Sequence, residues 1–139
     1  MTFRTSSEAE TIALGAQLGK KLKLGSVVSL RGSLGVGKTV FAKGIAEALG
    51  ITEAIVSPTF TLIQEYEGTF DLYHMDLYRI DSSEEFELIG GDEYLYGRGI
   101  TLIEWSEKIQ DILPQETIYV TINLDDDGSR LITIEGIAL

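Results

Sequence analysis

Apolar residues change their spacing several times along the chain, and each change marks an element. Leu14, Leu18 and Leu22 recur at helical spacing through residues 8 to 23, behind a capping box in which Ser7 is followed three places on by Glu10. Residues 26–31 (SVVSLR) form a short apolar run between glycines, the pattern of a buried central strand. A glycine-rich loop follows. Val40, Phe41, Ile45, Ala48 and Leu49 then restore helical spacing over residues 38–49, with Gly50 as the stop. Two alternating stretches, 59–66 and 69–78, separated by Glu67 and Gly68, predict a hairpin. Residues 83–96 are helix-prone and acidic, 100–105 (ITLIEW) read as a second buried strand, and 106–112 as a short helix stopped by Pro114. A last hairpin is predicted over 117–124 and 130–135, turning at Asp126, Asp127, Gly128 and Ser129. Strand-loop-helix units mixed with hairpins predict one three-layer α/β domain, 1–139, around a mixed parallel/antiparallel sheet.

Length and composition narrow the class. The 139 residues suffice for one core, and with 44% hydrophobic and 24% charged residues the chain is neither disordered nor collagen-like. It has no cysteine, so disulfides, thiolate metal sites and thiol nucleophiles are excluded, and a reducing compartment is expected. The opening MTFRTSSEAE lacks an apolar signal core, and no run approaches the roughly 18 apolar residues of a membrane span, so the expected location is the cytoplasm, with no membrane partner. The net charge of -11 is unevenly spread: the first fifty residues are net basic and the remainder strongly acidic. Most of the surface therefore repels a phosphate backbone, while the first third could hold a small polyanion.

That third contains GSLGVGKT at 32–39, which matches GxxxxGK[ST] with Gly32, Gly37, Lys38 and Thr39 in the defining places. Glycines let successive amides turn toward phosphate oxygens, and the following helix adds its positive end. Lys38 would reach the β and γ phosphates, and the Thr39 hydroxyl would ligate Mg²⁺. Lying between a buried strand and an amphipathic helix, the motif predicts a P-loop NTPase-like domain.

ATPase, GTPase and small-molecule kinase share such a loop. No Asn-Lys-x-Asp segment exists to read guanine, and the Asp-x-x-Gly string at 125–128 falls in a hairpin turn. The five arginines are scattered, against the arginine-bearing lid of a kinase. A hydrolase needs an acidic residue after a second buried strand. Asp76, after LYHM, and Glu104, after ITLI, are the candidates. His74 shares a strand face with Asp76 and is placed to orient that carboxylate or a water. Residues 57–61 (SPTFT) suit a loop sensing the γ phosphate, or a plain turn. The run Asp81 to Glu87 reads as a solvated helix face. Trp105 either plugs the core edge or senses the neighbouring carboxylate.

Together, GSLGVGKT, SPTFTL at 57–62, HMDLYR at 74–79, EEFELIGGDEYL at 84–95 and LIEW at 102–105 resemble the TsaE (YjeE) family, small bacterial P-loop ATPases required for making threonylcarbamoyladenosine beside the tRNA anticodon. The resemblance spans nearly the whole chain. It implies an ATP/ADP- and Mg²⁺-binding ATPase serving the TsaB and TsaD proteins, through which alone it meets tRNA; because no cation beyond Lys38 is obvious beside the motifs, turnover is expected to be slow alone and stimulated by those partners. It further implies Thr39 and Glu104 as Mg²⁺ ligands and Asp76 as a further acidic group at the metal and attacking water. Lys38, Asp76 and Glu104 then form the catalytic set, and Gly32 with Leu34, Gly35, Val36, Gly37, Lys38 and Thr39 the phosphate cradle. Thr5, Glu8 and Arg130 would lie at the base. A non-hydrolysing nucleotide-dependent interaction module is the alternative, and a small-molecule kinase a weaker one. Ser106 stands where many members have proline, so the loop after Trp105 is expected to be held differently. The sequence runs to Leu139, soon after the last hairpin, so the C-terminal helix of longer members is expected to be absent.

Overall fold

The computed structural model describes residues 1–33, 35–58 and 62–139. Seven strands form one sheet: β1 (Thr2–Thr5), β2 (Val27–Arg31), β3 (Ile63–Tyr66), β4 (Leu72–Asp76), β5 (Ile100–Glu104), β6 (Ile118–Leu124) and β7 (Arg130–Glu135), in spatial order β1-β7-β6-β2-β5-β4-β3. β2 pairs in parallel with β5 and β6, and β4 with β5. The flanking pairs β1–β7, β6–β7 and β3–β4 are antiparallel. The sheet is mixed, as the spacing predicts.

Alternate residues of the central strands feed two cores. Val28, Leu30, Leu102 and Val120 face α1 (Glu8–Lys21) and α2 (Lys38–Ala48), packing on Leu14, Leu18, Phe41 and Ile45. Val27, Met75 and Ile103 face the opposite layer, built from α3 (Ser83–Leu88), α4 (Asp92–Leu95) and a 3₁₀ segment (Ser106–Ile112), through Phe86, Leu95 and Ile109. Three layers result. The two long helices approach unusually closely, because Gly15 of α1 faces Gly44 of α2: a β-carbon on Gly44 would lie 2.1 Å from the Ile12 carbonyl oxygen.

The structure corrects several boundaries. The helix expected over 83–96 is two short helices. Gly90 between them adopts φ +78°, and the absent side chain of Gly91 makes room for the Phe86 ring. The sequence also gave no sign of β1, which pairs with β7 at the sheet edge. In the first hairpin, β3 starts at Ile63, residues 59–61 of the expected strand lie outside the described residues, and β4 joins the parallel centre through β5. The helix expected over 106–112 is 3₁₀, with Ile109 off helical geometry.

Candidate nucleotide site

β2, β4 and β5 run parallel, so their C-terminal ends share one edge of the sheet. Arg31, Asp76 and Glu104 are their last residues, with Asp76 and Glu104 in direct register. Ligand sites in open α/β sheets form at this edge. The chain leaving β2 turns through Gly32, Gly35 (φ +81°) and Gly37 (φ +107°) before entering α2 at Lys38. Gly32 has no room for a side chain, since a β-carbon would meet the Ile122 carbonyl oxygen and the Val36 side chain, both at 2.7 Å. The N-cap is Gly37, which has no side chain to cap α2, so among the described residues its first-turn N–H groups are open to a ligand. Leu34 lies outside the described residues.

A cleft of about 340 Å³ opens beside this turn. It gathers Lys38, Thr39, Asp76 and Glu104, with Glu8 and Arg130 also on its lining. Ser57 reaches it too, while Thr59 to Thr61 of the same polar turn are not described. Arg130 donates from Nε to the Val36 carbonyl oxygen at 2.6 Å and runs beside Gly37, tying β7 to the glycine turn. Thr5 stands apart. It is buried, and its hydroxyl lies 2.8 Å from that of Thr11.

Glu104 is the electrostatic centre of the cleft. Its Oε1 lies 3.3 Å from Lys38 Nζ and its Oε2 2.8 Å from His74 Nε2. Burial pushes the Glu104 carboxyl up, but the hydrogen bond from His74 and the field of Lys38 outweigh it and hold the group below the ordinary carboxylate range. The sequence places His74 on the face of Asp76. Its ring nitrogen instead meets Glu104 on the next strand, a contact that depends on β4 and β5 being neighbours. Asp76 Oδ1 accepts from the Tyr78 amide at 3.0 Å.

Trp105, directly after Glu104, adopts φ +61°, a conformation uncommon for a bulky residue and concentrated at functional sites. The residue is 38% exposed, with its ring 5.1 Å from the Tyr78 ring and 5.9 Å from Lys38 Nζ, so it borders the cleft and does not plug the core. Tyr78 is the member of this group that sequence reading missed; its place in HMDLYR was the available signal. Ser106 shows how the turn is held without proline. Its buried hydroxyl lies 2.6 Å from that of Ser29 on β2, to which Arg31 Nε also donates at 3.1 Å.

The oxygen donors suit a hard cation. Mg²⁺ takes one or two carboxylates and completes its shell with phosphate oxygens and water. Thr39, Asp76 and Glu104 offer a hydroxyl and two carboxylates on the lining of one cleft.

Comparison with known proteins gives the family of the chain. Residues 5–132 match the sequence profile of the family described as threonylcarbamoyl adenosine biosynthesis protein TsaE. The chain is 47% identical over 128 residues to the tRNA threonylcarbamoyladenosine biosynthesis protein TsaE of Treponema pallidum, covering 92% of this chain and 95% of that protein. It is 44% identical over 138 residues to the Bacillus subtilis protein of the same name, covering 99% and 86%. The crystal structure of Bacillus subtilis YdiB superposes with a TM-score of 0.84 at 41% identity, covering 96% of this chain and 83% of that one. A profile match across most of the chain, relatives at this identity over nearly their whole length, and a shared fold that brings the glycine turn to Glu104 make this chain a member of the TsaE family.

Proposed function

We propose that the chain is an ATPase that binds ATP with Mg²⁺ and supports the TsaB–TsaD proteins in forming threonylcarbamoyladenosine in tRNA. The convergence of Lys38 and Glu104 at 3.3 Å, where the glycine turn enters α2, carries this reading. The turn and the uncapped helix start supply N–H groups for the phosphates. Lys38 leaves Glu104 for the phosphate oxygens as nucleotide enters, because the β and γ phosphates concentrate more negative charge than one carboxylate. Thr39 and Glu104 would hold the metal and its water shell, and Asp76, at the adjacent strand end, would orient the attacking water. Bound Mg²⁺ would neutralise charge developing on the phosphates. Glu8 and Arg130 border the nucleoside.

Phosphoryl transfer from such a loop commonly draws on a further cation aimed at the γ phosphate. Among the described cleft residues the cations are Lys38 and Arg130, and Arg130 is engaged with Val36. The missing charge is assigned to the partner, which makes turnover slow alone. Since most of the surface is acidic, tRNA is reached through TsaB and TsaD, and the work is done in the cytoplasm. No helix among the described residues is long and apolar enough to cross a membrane.

Phosphate release by the purified chain, with and without TsaB–TsaD, tests the reading. Slow release alone, clear stimulation by the partners, and loss of both nucleotide binding and release in folded Lys38→Ala are expected. Unchanged nucleotide affinity and turnover in that variant would refute it. ATP binding without phosphate release under any condition would instead establish a nucleotide-dependent interaction module.

A further inference from the structure

We infer that His74 is a positioning residue that fixes the Glu104 carboxylate so that one chosen oxygen faces the nucleotide-bound metal. This rests on the reading of Glu104 as a Mg²⁺ ligand and adds how that ligand is aimed. The ring is completely buried on β4, in register with Gln64 of β3 and Leu102 of β5. Its Nε2 lies 2.8 Å from Glu104 Oε2, whereas its Nδ1 is buried and has no hydrogen-bond partner among the described residues.

That asymmetry is informative. A proton on Nδ1 would be buried without an acceptor, so the surroundings favour the tautomer that carries it on Nε2 and donates to Glu104. A residue present only for packing would be apolar or fully hydrogen-bonded here, because an unpaired buried nitrogen costs stability. The position therefore retains a polar ring at a cost, and the bond the ring makes among the described residues is to the candidate ligand.

The two carboxylate oxygens have separate partners. Oε2 is tied from within the sheet by His74, and Oε1 meets Lys38 at the cleft. When phosphate draws Lys38 away, Oε1 is left facing the cleft, and the bond to Oε2 prevents the carboxylate from rotating out of line. Partners of this kind behind a metal ligand typically contribute 10- to 100-fold in metal affinity or activity.

The test is Mn²⁺ binding to the full chain saturated with ADP, followed by electron paramagnetic resonance of free Mn²⁺, with ADP affinity measured separately in excess chelator. His74→Leu and His74→Asn, which lack a donor at the Nε2 position, are expected to bind Mn²⁺ about tenfold more weakly with metal-free ADP affinity unchanged. His74→Gln, whose amide N–H reaches that position, is expected to recover most of the loss. Glu104→Ala sets the full effect. If Glu104→Ala loses Mn²⁺ while the His74 variants hold it as tightly as the parent, His74 only packs, and the inference falls while the site reading stands. If Glu104→Ala also binds Mn²⁺ normally, the reading of Glu104 falls and takes the inference with it. Should His74→Leu fail to fold, the comparison of His74→Asn with His74→Gln decides: equal affinities overturn the inference.

Discussion

Replacing Gly44 by alanine tests whether the glycine contact between α1 and α2 governs stability and the nucleotide turn together. By helix propensity alone the change should stabilise α2 by about 1 kcal/mol. Packing says the opposite. The new β-carbon would lie 2.1 Å from Ile12 O, 2.9 Å from Ala16 N and 3.0 Å from Gly15 Cα, all backbone atoms that no rotamer change can move. Relief requires the helices to separate by roughly an ångström, opening the seam lined by Leu14, Leu18, Phe41 and Ile45. Overpacking of this kind typically costs about 1–3 kcal/mol, more where backbone must shift, and here that exceeds the propensity gain. The expected net loss of about 1–2 kcal/mol corresponds to a fall in Tm of roughly 3–10 °C for a domain of this size. Since α2 begins at Lys38, ADP affinity should fall as well. Thermal unfolding by circular dichroism and ADP calorimetry read the two effects, with the neighbouring exposed Lys43→Ala expected to stay within about 0.5 kcal/mol of the parent. A Gly44→Ala protein as stable as the parent, with unchanged ADP affinity, would refute the argument.

Three further outcomes are expected. Trp105 fluorescence should change saturably on adding ADP with Mg²⁺, because its ring borders the cleft 5.9 Å from Lys38 Nζ; a flat signal where calorimetry shows binding would remove the 102–106 segment from nucleotide sensing. Ser106→Ala should cost about 1 kcal/mol in urea unfolding by removing the buried bond to Ser29, and no loss would mean that the turn is held by other contacts. The Asp125 carboxyl is held below the ordinary range by the hydrogen bond from Arg4 and then by the Asp126 amide. Its pairing therefore stabilises the fold above the ordinary carboxylate range, and that contribution is lost as pH falls through the lowered value. Carboxyl ¹³C NMR should show the Asp125 midpoint rising in Arg4→Met, and an unmoved midpoint would contradict the cause given.

Where local pattern determines structure, the sequence was legible. The change from the buried run before Gly32 to helical spacing after Lys38 located the glycine turn, and strand-end carboxylates located Asp76 and Glu104. What required knowledge of neighbours was not. His74 does lie on the face of Asp76, but its partner became visible only once β4 was known to lie beside β5. Strand β1 is four residues long and has no apolar alternation of its own; β7 gives it a partner. The helical reading of 83–96 gave acidic, helix-forming residues more weight than Gly90 and Gly91, where a positive φ and the Phe86 ring require a break. Thr5 is polar and close in sequence to Glu8, yet its side chain is turned inward to Thr11.

The pairing of the first strand with the last has a consequence for how the molecule is made. Ile134 donates to the Met1 carbonyl oxygen at 2.8 Å, Thr5 lies opposite Arg130, and Arg130 ties down the glycine turn. During synthesis the turn and α2 emerge early, while the arginine that secures them and β7, which joins β1 to the rest of the sheet, emerge much later. Closing so long a loop is the entropically expensive step and comes late. A partly translated chain therefore carries the phosphate motif without the wall that completes its cleft.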